Sequence, residues 1–265
     1  MYDFHYAKAS SVDDANAKLK ATAESKLLAG GMTLLPTLKL RLAKPAALVD
    51  LGRLPELKGI EVVGGTVTIK AMTRHADVAR SAAVAKAIPA LASLAGGIGD
   101  TQVRHRGTIG GSVANNDPAA DYPAGCLGLG ATIVTNKREL AADDFFKGLF
   151  TTALGPDEII TAVRFPAPER AAYMKFKNPA SRYAIVGVLV SNGAKGVRVA
   201  VTGAGDTGVF RVAAMEKALA ANFSATAIEG ITVPTDSMLS DIHASSEYRA
   251  HLVGVMARRA VTACG

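Results

Sequence analysis

The sequence predicts an α+β fold: a two-lobed domain followed by a C-terminal domain of antiparallel sheet and helix. Three observations carry that expectation. Two glycine pairs, Gly30-Gly31 and Gly110-Gly111, each follow a short apolar run and precede a helix signal. Hairpin signals recur between and after them, as in Val62-Val63-Gly64-Gly65-Thr66-Val67. From Tyr183 onward the pattern changes to a strand hairpin and helices. The expected boundaries are 1–55 and 56–170 for the two lobes and 171–265 for the last domain.

Taken in order, Ser10-Ser11 with Asp13 and Asp14 opens a helix whose buried side is Val12, Ala15 and Leu19. Lys26 to Ala29 reads as a strand. Thr33 caps a helix carrying Leu34, Leu35 and Leu38, with Pro36 still in its first turn, where proline is tolerated. Ala47 to Asp50 is the next strand, and Ile60 to Lys70 the hairpin. Thr73 caps a helix through Arg80. Val84 to Ala95 is helical with an interruption at Pro89. Ile98 to Thr108 reads as a polar connector. Ala131–Thr135 and Glu139–Ala142 pair as a hairpin, and Asp157–Phe165 and Ala172–Lys177 are strands. Ala184–Ser191 and Gly196–Thr202 form the C-terminal hairpin. Ala213–Ala221 is helical, and Ser246 caps a last helix through Ala263, with Leu252, Val255 and Met256 as its core side.

Chemistry concentrates in two stretches. Thr108 to Pro123, TIGGSVANNDPAADYP, reads as strand, glycine turn, polar loop and helix, with Asp117-Pro118 as the helix start. Leu27 to Arg41, LLAGGMTLLPTLKLR, has the same grammar. Glycine pairs admit positive φ and close approach of a ligand to the backbone. Consecutive N–H groups in such turns form anion-binding concavities. Each stretch alone is equally a glycine-rich turn; two together suit a pyrophosphate.

Composition narrows the alternatives. With 49% apolar and 20% charged residues a packed core is feasible. The net charge of +7 raises nucleic acid as a partner, but the basic residues are scattered and tryptophan is absent, so nucleic-acid binding is not expected. Two distant cysteines, Cys126 and Cys264, give no metal-ligand spacing, so no metal site is expected. No run is long enough to span a bilayer and the N-terminus lacks signal-peptide character, so a cytoplasmic protein without a transmembrane segment is expected. Gly203-Ala-Gly205-Asp-Thr-Gly208 matches the dinucleotide fingerprint G-x-G-x-x-G, yet too little strand-forming chain follows for a second mononucleotide half. It reads as a strand-to-helix loop.

In their order and separation, AGGMTLLPTLK and QVRHRGTIGGSVANNDPAADYPA resemble the FAD-binding medium subunit of molybdenum hydroxylases, the group of carbon monoxide dehydrogenase and the xanthine dehydrogenase FAD domain. The resemblance covers nearly the whole chain, is strong over 29–51 and 98–123, and is weak beyond 205. It implies the FAD-binding fold of the vanillyl-alcohol-oxidase/xanthine-dehydrogenase flavoprotein type. It assigns a cofactor cradle to Ala29, Gly30, Gly31, Met32 and Thr33 and to Thr108, Ile109, Gly110, Gly111 and Ser112, with Leu27, Leu28 and Leu34 flanking it. Ile98 and Ile160 fall at ring-packing positions, Asp121 at a hydrogen-bond acceptor position, Lys177 near the flavin or pyrophosphate, and Tyr183 at a ring face. Their ordinary alternatives are core for the isoleucines, a solvated strand charge for Lys177 and a surface helix acid for Asp121. No catalytic acid or base is assigned.

Further, the resemblance implies an electron-transfer oxidoreductase subunit. A large molybdenum-pterin subunit and a small 2Fe-2S subunit supply electrons, this chain collects them on FAD for an external acceptor, and the complex is a dimer of heterotrimers. The alternatives are a stand-alone FAD-dependent reductase or oxidase and a non-catalytic nucleotide-binding subunit. The Arg104–Arg106 cluster is open between partner docking, cofactor phosphate and a solvated loop. Relatives commonly carry Asn where Ser112 stands, and Thr-Ser or His-Ser at Met32-Thr33; the hydroxyls here keep donor and acceptor capacity.

Overall fold

The computed structural model describes residues 1–264. The first lobe is a parallel three-stranded sheet of β1 (His5–Lys8), β2 (Ser25–Leu28) and β3 (Ala47–Asp50), in the order β1-β3-β2. Crossovers through α1 (Val12–Ala21) and α2 (Leu34–Lys39) make the parallel pairing possible. Ser11 caps α1 by accepting from the Asp14 N–H, and Ala15 is the helix residue fully buried beneath.

The second lobe begins with β4 (Ile60–Val63) and β5 (Thr66–Lys70). Gly64 and Gly65 both have positive φ, +56° and +73°, as a two-residue primed turn requires. Six helices follow: α3 (His75–Arg80), α4 (Ala82–Ala87), α5 (Pro89–Gly96), α6 (Thr101–Arg106), α7 (Ile109–Asn115) and α8 (Asp121–Gly128). Then come β6 (Thr132–Thr135), β7 (Glu139–Ala141), α9 (Ala142–Phe145), the small pair β8 (Phe146–Gly148) and β9 (Thr151–Thr152), and β10 (Ile160–Pro166). The antiparallel sheet runs β4-β5-β10-β6-β7. Its core holds Val67, Ile69, Leu91, Ile109, Tyr122 and Phe165, none of them exposed.

The C-terminal domain is an antiparallel sheet of β11 (Arg170–Lys177), β12 (Ala184–Gly193), β13 (Gly196–Thr202) and β14 (Phe210–Arg211), covered by α10 (Ala213–Ala221) and α11 (Ser246–Ala263). Apolar residues of β12 and β13 pack under Leu252, Val253 and Met256 of α11. The architecture is therefore α+β, as expected.

Several local expectations are corrected. Thr108 is not in a strand but is the N-cap of α7, so Gly110 and Gly111 lie in the first turn of a helix and neither has positive φ. Asp117-Pro118 starts no helix; Asp117 Oδ1 accepts from the Ala119 N–H, and α8 begins at Asp121. The connector 98–108 contains α6, capped by Asp100 accepting from the Val103 N–H. Thr33 occupies a helical N-cap position without a side-chain cap bond. Thr73 exchanges hydrogen bonds with Gly59 rather than capping α3. Ser245, not Ser246, caps α11. The G-x-G-x-x-G loop joins β13 to β14 and precedes another strand rather than a helix.

Residues 116–120 form the junction of the molecule. Asn116, buried and left-handed, donates from Nδ2 to the Gly148 and Thr151 carbonyls, and its own carbonyl accepts from Phe150 N–H. The Pro118 carbonyl accepts from Gly203 N–H and Thr202 Oγ1, and the Ala119 carbonyl from Ala184 N–H. The turn between α7 and α8 thus ties the second lobe to the C-terminal sheet.

Candidate functional site

A cleft of about 640 Å³ opens where the lobes and the C-terminal domain meet. That volume lies within the ~300–1,000 Å³ usual for small-molecule and cofactor sites. Its floor is the meeting point of the two glycine stretches. A Cβ on Gly30 would collide with the Arg106 carbonyl, and one on Gly111 would lie 3.5 Å from Ala29 Cβ. Glycine at 30 therefore lets the first loop sit directly on the chain entering the second.

The two loops differ in what they offer a ligand. Among the described residues no protein acceptor takes the N–H groups of Gly30, Gly31, Met32 or Thr33. Gly31 has φ +74°, the left-handed conformation that turns successive N–H groups to one side. In the second loop the N–H groups are spent. Ile109 donates to the Thr73 carbonyl, Gly110 to Ala71, Gly111 to Thr108 Oγ1 and Ser112 to the Thr108 carbonyl. Gly110 is glycine because a Cβ there would stand 2.6 Å from Ala71 Cβ. Both loops were expected to be N–H cradles; the N–H groups of the first are without protein acceptors, whereas those of the second are taken up within the fold.

Leu27, Ala29, Gly30, Gly31, Met32, Thr33, Leu34, Ile98, Thr108, Gly110, Gly111, Ser112, Asp121, Ile160 and Tyr183 line this cleft together. Three expected residues are not in its wall. Leu28 packs from behind, close to where a Gly31 Cβ would stand. Ile109 is buried in the core of the second lobe. Lys177 is exposed at the end of β11, where a register shift after Phe176 displaces it.

The buried lysine is Lys175. Its ammonium lies 2.9 and 3.0 Å from the two Asp121 oxygens and donates to the Gly97 carbonyl at 2.9 Å. Tyr173 donates to Asp121 Oδ1 at 2.5 Å. Asp121 is thus buried, not a surface acid. Burial pushes its carboxyl above the ordinary range, against the pull of Lys175 and the Tyr173 hydroxyl. Arg104 turns back on its own lobe, donating to the Ile98 and Gly99 carbonyls at 2.9 and 3.4 Å. Lys175 and Arg104 therefore clamp the 97–99 turn, which presents Ile98 to the cleft.

Four further lining residues escaped sequence reasoning. His75 is buried against Gly107, and its Nδ1 has no partner among the described residues. Burial, with a contribution from the Arg104 charge, lowers its pKa to about 4, so it is neutral at pH 7. Glu158 accepts from Arg138, Gly155 N–H and Thr135, and is pulled down to about 2, chiefly by Arg138. Asp117 is raised by burial. Phe150, 60% exposed, stands at the cleft mouth near the same junction turn as Tyr183. A lone histidine two residues after Thr73 was the one available signal for His75; a phenylalanine in a loop carries none.

Among the described residues no cluster of His, Cys, Asp or Glu has metal-holding geometry, and no helix is long and apolar enough to cross a membrane. Cys126 is fully buried and its thiol is pushed up by burial.

A cleft of cofactor size, floored by two glycine stretches of which the first leaves its N–H groups free, has the character that a dinucleotide cofactor requires. The family profile described as "FAD binding domain in molybdopterin dehydrogenase" matches residues 2–168, and the chain belongs to that family. It is similar to the nicotine 6-hydroxylase medium subunit of Paenarthrobacter nicotinovorans, at 37% identity over 98% of this chain and 96% of that one. The carbon monoxide dehydrogenase medium chain of Hydrogenophaga pseudoflava is 35% identical over the same shares. A solved structure of that organism's carbon monoxide dehydrogenase superposes with a TM-score of 0.88 at 36% identity, covering 99% of this chain and 97% of that one. Quinoline 2-oxidoreductase from Pseudomonas putida 86 superposes with a TM-score of 0.89 at 28% identity, covering 99% and 97%. The chain is thus an FAD-binding medium subunit of the molybdenum-hydroxylase oxidoreductases.

Proposed function

We propose that the chain is the electron-transfer flavoprotein of a multi-subunit molybdenum hydroxylase. A molybdenum-pterin subunit oxidises the substrate, a 2Fe-2S subunit carries single electrons, and this chain delivers them to an external acceptor. The cytoplasm is the compartment of that reading, and a dimer of heterotrimers its assembly. The observation that carries the proposal is the row of unspent N–H groups from Gly30 to Thr33, set against the second glycine loop in a cleft of cofactor size.

Those residues fit FAD. The N–H groups of Gly30 to Thr33 would take the pyrophosphate, with the Thr108 and Ser112 hydroxyls beside them. Ile98 and Ile160 would pack on the rings, Asp121 would accept from a ring N–H, and Tyr183 would cover a ring face. Leu27 and Leu34 would flank the cofactor, while Leu28 and Ile109 support its cradle from behind. Lys177 stands outside the cleft wall and would not touch the cofactor. FAD, when bound, supplies the interchange of one- and two-electron transfer. The chain's own residues bind and orient it and exclude water; no general acid or base is needed. The medium chains it resembles are named for nicotine, carbon monoxide and glyceraldehyde enzymes. Substrate choice therefore belongs to a partner rather than to this cleft.

The test is expression alone and with its genomic neighbours. Alone, the chain should take up FAD, release all of it on acid denaturation, and oxidise no substrate. Together, one complex should contain iron, sulfide, molybdenum and FAD. Substrate-dependent dye reduction by the metal-free chain would instead make it a stand-alone flavoenzyme; a colourless chain would make it a non-catalytic subunit.

A further inference from the structure

Phe150 has φ +53°, the left-handed region that bulky side chains avoid. It sits in the turn joining β8 to β9, where Gly148 takes the other positive φ, +152°. Glycine at 150 would meet the backbone requirement without strain, yet the position holds a phenylalanine whose ring is 60% exposed. Strained residues persist only where the surroundings over-determine them, and they cluster at ligand clamps. Here the surroundings do so. Asn116, only 2% exposed, donates to the Gly148 and Thr151 carbonyls at 2.7 and 2.9 Å, and its carbonyl accepts from Phe150 N–H at 3.1 Å. Gly208, of the G-x-G-x-x-G loop, approaches the same turn at Gly148 and Leu149. Three residues on from Asn116, Ala119 holds Ala184, the neighbour of Tyr183. Two exposed aromatic rings are thus hung from one rigid turn, and both line the cleft.

We propose that Phe150 is a fixed aromatic lip of the cleft that packs on the bound isoalloxazine and shields it from water, and that the fold retains backbone strain to hold the ring there. The proposal rests on the reading of the cleft as an FAD site. A conjugated, largely apolar ring system is best covered by aromatic faces, and the pyrophosphate belongs at the other end, on the glycine loops. The polar tail of the second glycine stretch then has a role in binding: Asn116 is a positioning residue acting through Phe150.

The chain with Phe150→Gly separates a ring contact from ordinary packing. Relief of the left-handed strain should raise the melting temperature of the FAD-free protein by about 2 °C. Loss of the aromatic contact should raise the FAD dissociation constant about tenfold in absorbance titration. Reoxidation of the dithionite-reduced, FAD-loaded chain by dioxygen should become faster. Phe150→Tyr should restore the wild-type dissociation constant. ADP, which lacks the isoalloxazine, should bind wild type and Phe150→Gly equally. An unchanged FAD dissociation constant in Phe150→Gly overturns the lip, as does a weakened ADP affinity, which would put the ring on adenine. A melting temperature several degrees lower overturns it too, making the ring a packing group. If the wild-type chain takes up no FAD, the cofactor reading itself has failed, and that result is distinct from each of these.

Discussion

The two glycine stretches are written alike and work differently. Gly30-Gly31 is a loop in which one glycine permits contact with the Arg106 carbonyl and the other supplies φ +74°, leaving a row of N–H groups without protein acceptors. Gly110-Gly111 is the first turn of a helix, where one glycine lets the backbone pass Ala71 and the other faces the first loop. The first stretch leaves its backbone donors free toward the cleft. The second is mainly a packing device whose surface happens to be the cleft floor. A repeated dipeptide therefore marks where the chain must come close to something; the partner in that approach decides the role.

The comparison breaks most readily at Gly110. A branched side chain there would meet Ala71 backbone and Cβ at 2.6–3.0 Å, with the Ala71 carbonyl already bonded to Gly110 N–H. Gly110→Val should cost about 3 kcal/mol in denaturant unfolding. Equal stability to wild type would show that the second stretch is not a packing device.

Next in size is the pH dependence that His75 lends to the same region. The ring lies against Gly107, and burial together with Arg104 lowers its pKa from 6.5 to about 4. The unfolded chain then binds more protons than the folded one between those values. Stability is complete above pH 6.5 and falls as pH drops through that window, by about 2 kcal/mol between pH 7.5 and 5. Asp14, Asp157 and Glu158, held at about 2 by Lys18, Lys137 and Arg138 respectively, lose their contributions as pH falls through the ordinary carboxylate range, below this interval, whereas Asp117 and Asp121, raised by burial, contribute a slope of the opposite sign, with stability falling as pH rises. The difference in unfolding free energy between wild type and His75→Gln should change by about 2 kcal/mol over that interval; a difference that stays constant with pH would locate the titrating group elsewhere.

In the first loop the expected loss is smaller. Gly31→Ala puts a Cβ on a left-handed residue at a cost of about 1 kcal/mol, since its nearest neighbour, 2.9 Å away, is the flexible end of Leu35. FAD affinity should fall with it, because the N–H row is set by that φ. Unchanged FAD binding in Gly31→Ala would mean that the N–H row does not depend on the conformation of Gly31.

What was legible follows from these mechanisms. Glycine pairs, hairpin turns and strand alternation are local, so the hairpins and the two glycine stretches of the cleft floor could be read from the residues, while Ile98, Asp121, Ile160 and Tyr183 were placed at the site by the family resemblance. The short helices α6 and α7 could not: six or seven residues are too few to show a 3.6-residue period, and Thr108 as a cap looks like Thr108 in a strand. The resemblance pointed to Lys177, but the bulge after Phe176 decides which side chain turns inward, and register is a property of the paired strand. The burial of Asp121 in an ion pair was not legible, because its partners, Tyr173 and Lys175, lie more than fifty residues away. The depth of His75 and the strain at Phe150 depend on the packed whole.

Gly111 should show the smallest effect on the fold and the sharpest division between folding and binding. Its φ is not positive, so alanine is sterically allowed and gains helix propensity. The added Cβ would stand 3.0 Å from Thr108 Oγ1 and 3.5 Å from Ala29 Cβ, so the capping hydroxyl must give by a few tenths of an ångström. These opposing effects should leave Gly111→Ala within about 0.5 kcal/mol of wild type. The methyl group, however, would enter the gap between the two loops that the cofactor must share. FAD should bind Gly111→Ala about tenfold more weakly, and Gly111→Val, with a second branch in that gap, should lose FAD while remaining folded. Calorimetric melting of the FAD-free variants, set beside FAD titration of each, separates the two quantities. A full complement of flavin in Gly111→Val would mean that the pyrophosphate lies on the first loop alone and the second stretch has no part in binding.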